Sequence, residues 1–527
     1  MRGKLKLALV ALTLMSCSKD GHSPDRGIDY SYGREITHDR IVLGNRLENP
    51  YKTENITKAL QSLYPTKADR VDVRTTNLYV RFLPSDEREY RILENLGLHM
   101  TDHPLDYAIK VEGDWYHDPE LPEGTITWQY AVVPHDFAFP PVRYEIIDEC
   151  HISENDPGTR ADGIDWTAVE RESYRLTGNE GMLAEAAVKA PSKVKPSGRI
   201  TIVDEDANGG KPFGVAGVMV SCNSFVKFDH AYTDRDGYYS MEKEFSSDLR
   251  YRLVFKNTKG FALGLDMILV PASVSTLGKS SPEGVNTTVT ENSDDKLFRR
   301  CAVNNSAYDY YSRCDKDDLD MPLPPTDLRI WIFNVMEASS AVMLHHGTVL
   351  DNELINSFLG RLAPVVRHFL PDLTIGAKDR KEYSEIYSAV CHELAHASHF
   401  SMTGTTFWND YIFYIIESYI KTGGMTYGDG SGSRSGFCDI GESWAYFIES
   451  LMYKGRYGGP FPTFGTSHWF YPQIFRYLYE RGMAVGDLVS VLDDTVRNRQ
   501  ELKAALLASF PTERIIIEQV FSRYGER

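Results

Sequence analysis

The residues with the clearest chemical potential are His392, Glu393 and His396, in the run His-Glu-Leu-Ala-His. On a helix, positions i and i+4 share a face, so two imidazoles in this spacing can hold one zinc ion. Glu393 then falls to the side of the pair, where it can address a water on the metal. Zinc brings the pKa of such a water toward neutrality, and a carboxylate can take its proton and deliver it to a leaving amine. The plainer reading is a helix carrying two surface histidines and a glutamate. A catalytic zinc takes three protein ligands and keeps one position for water. His399 tempts as the third but lies seven residues from His392, about 10 Å along a helix axis. With Zn–N near 2 Å, an uninterrupted helix does not bring all three to one ion. His399 is therefore expected beside the ligands or in packing.

The elements that must position these groups are legible around them. Tyr383, Ile386, Tyr387, Val390 and Leu394 mark a helix over Lys381–His399. Strands are expected at Leu328–Val335 and Leu373–Gly376, with a helix from Asn352 to Leu370 between them. An aromatic helix follows over Thr406–Ile420, then a Gly/Ser-rich stretch at 423–436, read as a lid or a plain loop, then a helix over Gly441–Tyr453. The remainder reads as mostly helical.

Residues 441–449 read Gly-Glu-Ser-Trp-Ala-Tyr-Phe-Ile-Glu. This resembles the second metal helix of the gluzincin metallopeptidases, notably aminopeptidase N-like enzymes, whose pattern is Asn-Glu-Gly-(Phe/Trp)-Ala, an aromatic, then Glu. The resemblance implies a zincin-like fold, Glu442 as third zinc ligand and close helix packing at Ala445. Gly441 stands where the family has Asn, and the 45 residues between His396 and Glu442 exceed the common spacing. The Gly-x-Met-Glu-Asn type of motif is missing, so the resemblance does not extend to aminopeptidase specificity. Neither is there the Gly turn by which metzincins bring in a third histidine, since Ala397-Ser398-His399 lacks it. Read without the resemblance, Glu442 is an acid at a helix start, favoured by the dipole, and Asp439 is a rival ligand. Gluzincins also place a downstream Tyr or His on the oxyanion. That implies His468 or Tyr471 here, with Tyr453 and Tyr457 as rivals.

The chain has 527 residues, enough for about three domains. Hydrophobic residues at 42% supply ordinary cores, and a net charge of -17 argues against nucleic-acid partners. Arg2, Lys4 and Lys6 precede the apolar stretch Leu7–Leu14, which is too short to span a bilayer. Leu14-Met-Ser-Cys17 resembles a bacterial lipoprotein box, implying lipidation at Cys17; a plain secretory signal is the alternative. Ser18-Lys19-Asp20 loosely resembles signals for the outer cell surface. The expected location is thus a lipid anchor in the outer membrane, facing outward, with no transmembrane helix. Six further cysteines occur, at 150, 222, 301, 314, 391 and 438. Cys301 and Cys314 bracket a polar stretch and are the most plausible disulfide. Cys391 and Cys438 read as buried small residues or a pair near the site.

The fold class expected is multidomain α+β. Residues 1–30 are signal and tether. Residues 31–188 form a small α/β domain, read as spacer, partner-binding module or inhibitory segment. It has a strand at Leu78–Leu83, a helix opening at Pro84-Ser85 and a strand at Ile126–Val133. A Pro/Lys linker at 189–197 leads to short strands with Gly/Asp turns over 198–280, a β-sandwich. Val215-Ala-Gly-Val-Met-Val and Thr233-Asp-Arg-Asp-Gly237-Tyr-Tyr resemble the carboxypeptidase regulatory-like sandwich, an accessory fold without chemistry. Asp234 and Asp236 fit a tight turn better than a calcium site. Residues 286–325 read as a polar connection, and 326–527 as the mainly α-helical, zincin-like metallopeptidase domain. Three functions are compatible with these residues. One is a zinc peptidase acting on extracytoplasmic peptides or proteins. The others are an inactive surface binding or assembly lipoprotein, and a zinc hydrolase of other amides or esters.

Overall fold

The computed structural model describes residues 40–66, 71–160, 163–183, 193–265, 272–292, 295–348, 369–423 and 425–525. The signal segment, Cys17 and most of the Asn352–Leu370 helix lie outside the described residues. The molecule is mixed α+β, with a β-rich middle and a helical C-terminal region.

The N-terminal unit carries strands β1 (Val42–Arg46), β2 (Asn77–Leu83), β3 (Tyr107–Val111), β4 (Gln129–Pro134) and β5 (Arg143–Cys150). It also carries helices α1 (Thr53–Leu63), α2 (Glu87–Asn95) and α3 (Trp166–Leu176). β2 lies between β4 and β5 in an antiparallel sheet, and β1 pairs with β3. Central position explains why β2 is apolar almost throughout: Tyr79, Val80 and Phe82 are fully buried. The helix expected after Pro84 is α2, capped by the Asp86 carboxylate, which accepts from the Glu89 N–H.

The middle contains β6 (Ser197–Ile202), β7 (Phe213–Gly214), β8 (Val218–Ser224), β9 (Lys227–Tyr232), β10 (Tyr238–Ser240), β11 (Leu249–Asn257), β12 (Phe261–Leu265), β13 (Val274–Ser280) and β14 (Thr287–Val289). β6 lies between β10 and β14 and also pairs with β7. Side chains of this sheet and of β8 and β11 meet in one core. The Asp234 carboxylate accepts from the N–H groups of Asp236 and Tyr238, both at 2.9 Å, which is the tight turn the sequence suggests. Gly237 is required there: its φ is +84°, and a Cβ would stand 2.1 Å from the Ile200 carbonyl oxygen.

Two expectations need correction. The sheet does not stop at the end of the middle region. β15 (Leu328–Phe333), β16 (Ser340–Ala341) and β17 (Leu373–Gly376) extend it, giving the order β16-β17-β15-β12-β11-β8-β9 with β13 on β11. β12 pairs parallel with β15 from Phe261↔Leu328 to Leu265↔Ile332, so the expected domains 198–280 and 326–527 share one sheet. All six residues of β15 are buried, and such a strand needs a neighbour on each edge. Second, the stretch between Cys301 and Cys314 is no loop but part of helix α4 (Asp295–Arg313). Thirteen residues of helix rise about 20 Å, far beyond the roughly 7 Å that a disulfide tolerates between Cα atoms. Both cysteines are free and buried, as are the other four in the described residues.

The N-terminal unit docks on this sheet through charges removed from water. Lys193 and the fully buried Lys227 meet the Glu154 carboxylate at 2.6 and 2.7 Å, and Lys193 meets Glu170 at 3.0 Å. Such charges hold in the interior only because they are paired. The Arg252 guanidinium donates to Nε2 of buried His103 at 2.7 Å. Burial, with Arg252 beside it, holds that imidazole down to about 4. None of the described helices is long and apolar enough to cross a membrane.

Candidate metal centre

Helix α5 (Tyr383–Thr422) delivers the first two candidate ligands. A capping box of Glu382 and Glu385 starts it. Tyr383, Ile386, Tyr387, Val390 and Leu394 are buried as their spacing predicts. The helix packs against β17, β16, α4 and, most extensively, α6 (Ser435–Tyr457). At Gly404 it breaks, with φ 71° and ψ -174°, so the two helices expected at 381–399 and 406–420 follow one another across a kink.

His392 and His396 sit on one face, their Nε2 atoms 3.1 Å apart. Glu442, from α6, meets them with Oε2 3.5 Å from Nε2 of His392 and Oε1 3.5 Å from Nε2 of His396. All three residues are buried, and their ligand atoms lie within 4.8 Å of one another. Ligands about 2 Å from a tetrahedral ion stand about 3.3 Å apart. The two Nε2 atoms are close to that separation, the two 3.5 Å distances run to different oxygens of Glu442, and the trio could hold a metal ion. The chemistry of the donors agrees. Burial lowers the His396 imidazole toward its neutral, ligating form. Burial opposes ionisation of Glu442, but attraction to His396 and His392 holds its carboxyl well below the usual range. Oε2 of Glu442 is buried with no hydrogen-bond donor, a costly state that a cation would relieve.

A second layer fixes the candidate ligands. Nδ1 of His392 is 3.0 Å from Oε2 of Glu449, which aims the other ring nitrogen at the site. Ser388 donates to the other Glu449 oxygen. The Tyr446 ring lies edge-on to His392 at 4.4 Å, and Trp408 to His396 at 5.6 Å. Tyr411, beyond the kink, donates to Oε1 of Glu442 at 2.5 Å. Sequence reasoning assigned no role to Glu449, Tyr446 or Tyr411. Glu449 was recoverable, because seven residues from Glu442 is two helical turns on the same face. Tyr411 had no such signal.

Glu393 is buried and joins His396, Glu442, Tyr411, Ser340, Ala341, Ile415 and Tyr427 around a cavity of about 10 Å³, room for a single water. None of these residues comes from the N-terminal unit. The other expected residues lie apart. His468 packs on Tyr427 and Tyr446, with ring centres 4.9 and 6.0 Å away, one ring removed from the ligands. Tyr471 turns toward Tyr524 and lies under the Arg499 guanidinium. The Tyr457 hydroxyl donates to Asp204, and Tyr453 packs on Phe464. Asp439, the rival ligand, is taken by Arg499 at 2.5 Å in a buried ion pair. His399 is buried against Phe407 and Trp408, and neither ring nitrogen has a hydrogen-bond partner among the described residues. Burial pushes it down to about 3, so it stays neutral and packs as an aromatic.

Comparison of the chain with protein-family models, curated proteins and solved structures finds no match.

Proposed function

We propose that this chain is a zinc metallopeptidase of gluzincin type that hydrolyses peptides or proteins outside the cytoplasm. The observation that carries the reading is the buried trio His392, His396 and Glu442 at ligand separations, with Glu393 on the same cavity. Zinc, bound there, supplies Lewis acidity and a water acidic enough to give up its proton near neutral pH. Glu393 is the general base: it takes the proton of the attacking water and passes it to the leaving amine. Glu449 keeps His392 in the ligating tautomer, and the aromatic wall of Trp408, Tyr411 and Tyr446 keeps bulk water out. The resemblance of Gly441–Glu449 to the second gluzincin helix supports the class.

The deciding experiment is elemental analysis of the chain purified without its signal, beside His392→Ala. About one zinc per chain, lost in the variant, and cleavage of members of a peptide library are expected. Absence of metal after reconstitution would overturn the reading. One observation favours a second reading, a binding or assembly protein on a peptidase scaffold: a cavity of about 10 Å³ holds a water but no peptide. Stoichiometric zinc with no turnover of any peptide is the result that reading predicts.

The proposed location, the outer membrane with the protein facing outward, rests on the Leu14-Met-Ser-Cys17 box. Cys17→Ser should move the protein from the membrane to the soluble fraction. A variant that stays with the membrane refutes the lipid as its sole anchor.

A further inference from the structure

The two oxygens of Glu442 are in different situations. Each stands 3.5 Å from one imidazole nitrogen, but only Oε1, the one beside His396, accepts the Tyr411 hydroxyl, at 2.5 Å. Oε2 faces Nε2 of His392 at 3.5 Å and is buried without a donor. A carboxylate beside a cation can bind through one oxygen or both, and binding through both uses up the position that water must occupy. A hydrogen bond to one oxygen engages its lone pairs and favours the other as ligand. We propose that Tyr411 is a positioning residue for Glu442: its phenol holds Oε1, so that Glu442 offers the metal Oε2 alone and a coordination position stays open. This rests on the metallopeptidase reading above.

Three features place Tyr411 for this. The left-handed Gly404 redirects α5 and carries Tyr411 back over the ligands. Its ring is stacked on Trp408 at 4.9 Å and packs beside His396 at 5.8 Å. Gly441, one of the departures from the gluzincin pattern, lies directly under it. A Cβ built on Gly441 would already touch the Tyr411 ring at 3.6 Å. The amide of an asparagine extends past that Cβ into the space of the ring. The glycine thus leaves room for the phenol that reaches Glu442.

Cobalt is the probe, because its visible absorption distinguishes four from five ligands. The cobalt-loaded chain should show the strong absorption of a four-coordinate site. Tyr411→Phe should retain about one cobalt but weaken that absorption as both Glu442 oxygens bind, and lower kcat about tenfold with KM unchanged. Gly441→Asn, which displaces the ring, should reproduce the spectral change, and Gly441→Ala should not. A cobalt spectrum identical in Tyr411→Phe and the parent overturns the proposal while leaving the metal site intact. Failure of the parent to bind cobalt overturns the metal reading, and this proposal with it. If the parent binds cobalt but cleaves nothing, the spectra alone decide the role of Tyr411.

Discussion

Glu393→Gln should lower kcat for peptide hydrolysis by about a thousandfold while zinc content and folding stay as they were. The substitution keeps the shape of the side chain and removes only its capacity to accept a proton. General-base catalysis contributes typically about 10²–10⁴-fold, and among the described residues no second carboxylate near the cavity is free to replace it. Glu442 is engaged with both imidazoles and Tyr411, and Glu449 with His392 and Ser388. Metal should remain because Glu393 is outside the ligand set. The buried site should tolerate the change, since a neutral amide costs less to bury than a carboxylate. The check pairs steady-state kinetics with elemental analysis on the same preparation. Activity close to that of the parent would remove Glu393 from the mechanism. Lost activity together with lost zinc would make it a structural residue instead.

Glu442→Ala should weaken zinc binding by at least two powers of ten. Zinc sites bind with roughly 10–16 kcal/mol spread over their ligands, so one ligand of three carries about 3 kcal/mol or more. Among the described residues, the two rival ligands are engaged elsewhere. Asp439 is bound to Arg499 in a pair whose rupture would leave an uncompensated buried charge. His399 lies one turn beyond His396 and faces Phe407 and Trp408. Competition with a chromophoric chelator measures the change. Affinity equal to that of the parent would mean that the ion sits elsewhere.

How far the sequence discloses this arrangement depends on what each part rests on. The first ligand helix was legible because its apolar face repeats at helical spacing and its histidines share one turn. Glu442 was legible through a local pattern on a second helix, and burial of α6 from Cys438 to Met452 agrees with that helix packing tightly. Tyr411 was not, because one glycine conformation decides where the second half of α5 points, and 31 tyrosines offer no way to single it out. Helix α4 misled in another way. Its asparagines suggested a solvated connection, yet Asn304 and Asn305 are buried and donate to the carbonyls of Ala216 and Gly214 at 2.9 and 2.7 Å. Polar residues there hold the helix to the sheet, and hydropathy cannot register that. The continuous sheet escaped for a third reason. Parallel pairing of β12 with β15 joins segments separated by two strands and helix α4, and no local pattern encodes that partnership.

That pairing bears on how such a protein can be inherited. A segment beginning near residue 326 holds His392, Glu393, His396 and Glu442, and on a map of motifs it looks like a portable enzyme. Cut there, it would carry β15 with one raw edge, while the remainder would keep β12 with the complementary one. Each fragment would be an adhesive surface rather than a module. Recombination could then exchange the N-terminal unit, whose strands form sheets of their own, far more readily than it could separate the middle from the metal centre. The smallest piece that keeps this sheet whole is the β-rich middle and the helical end together.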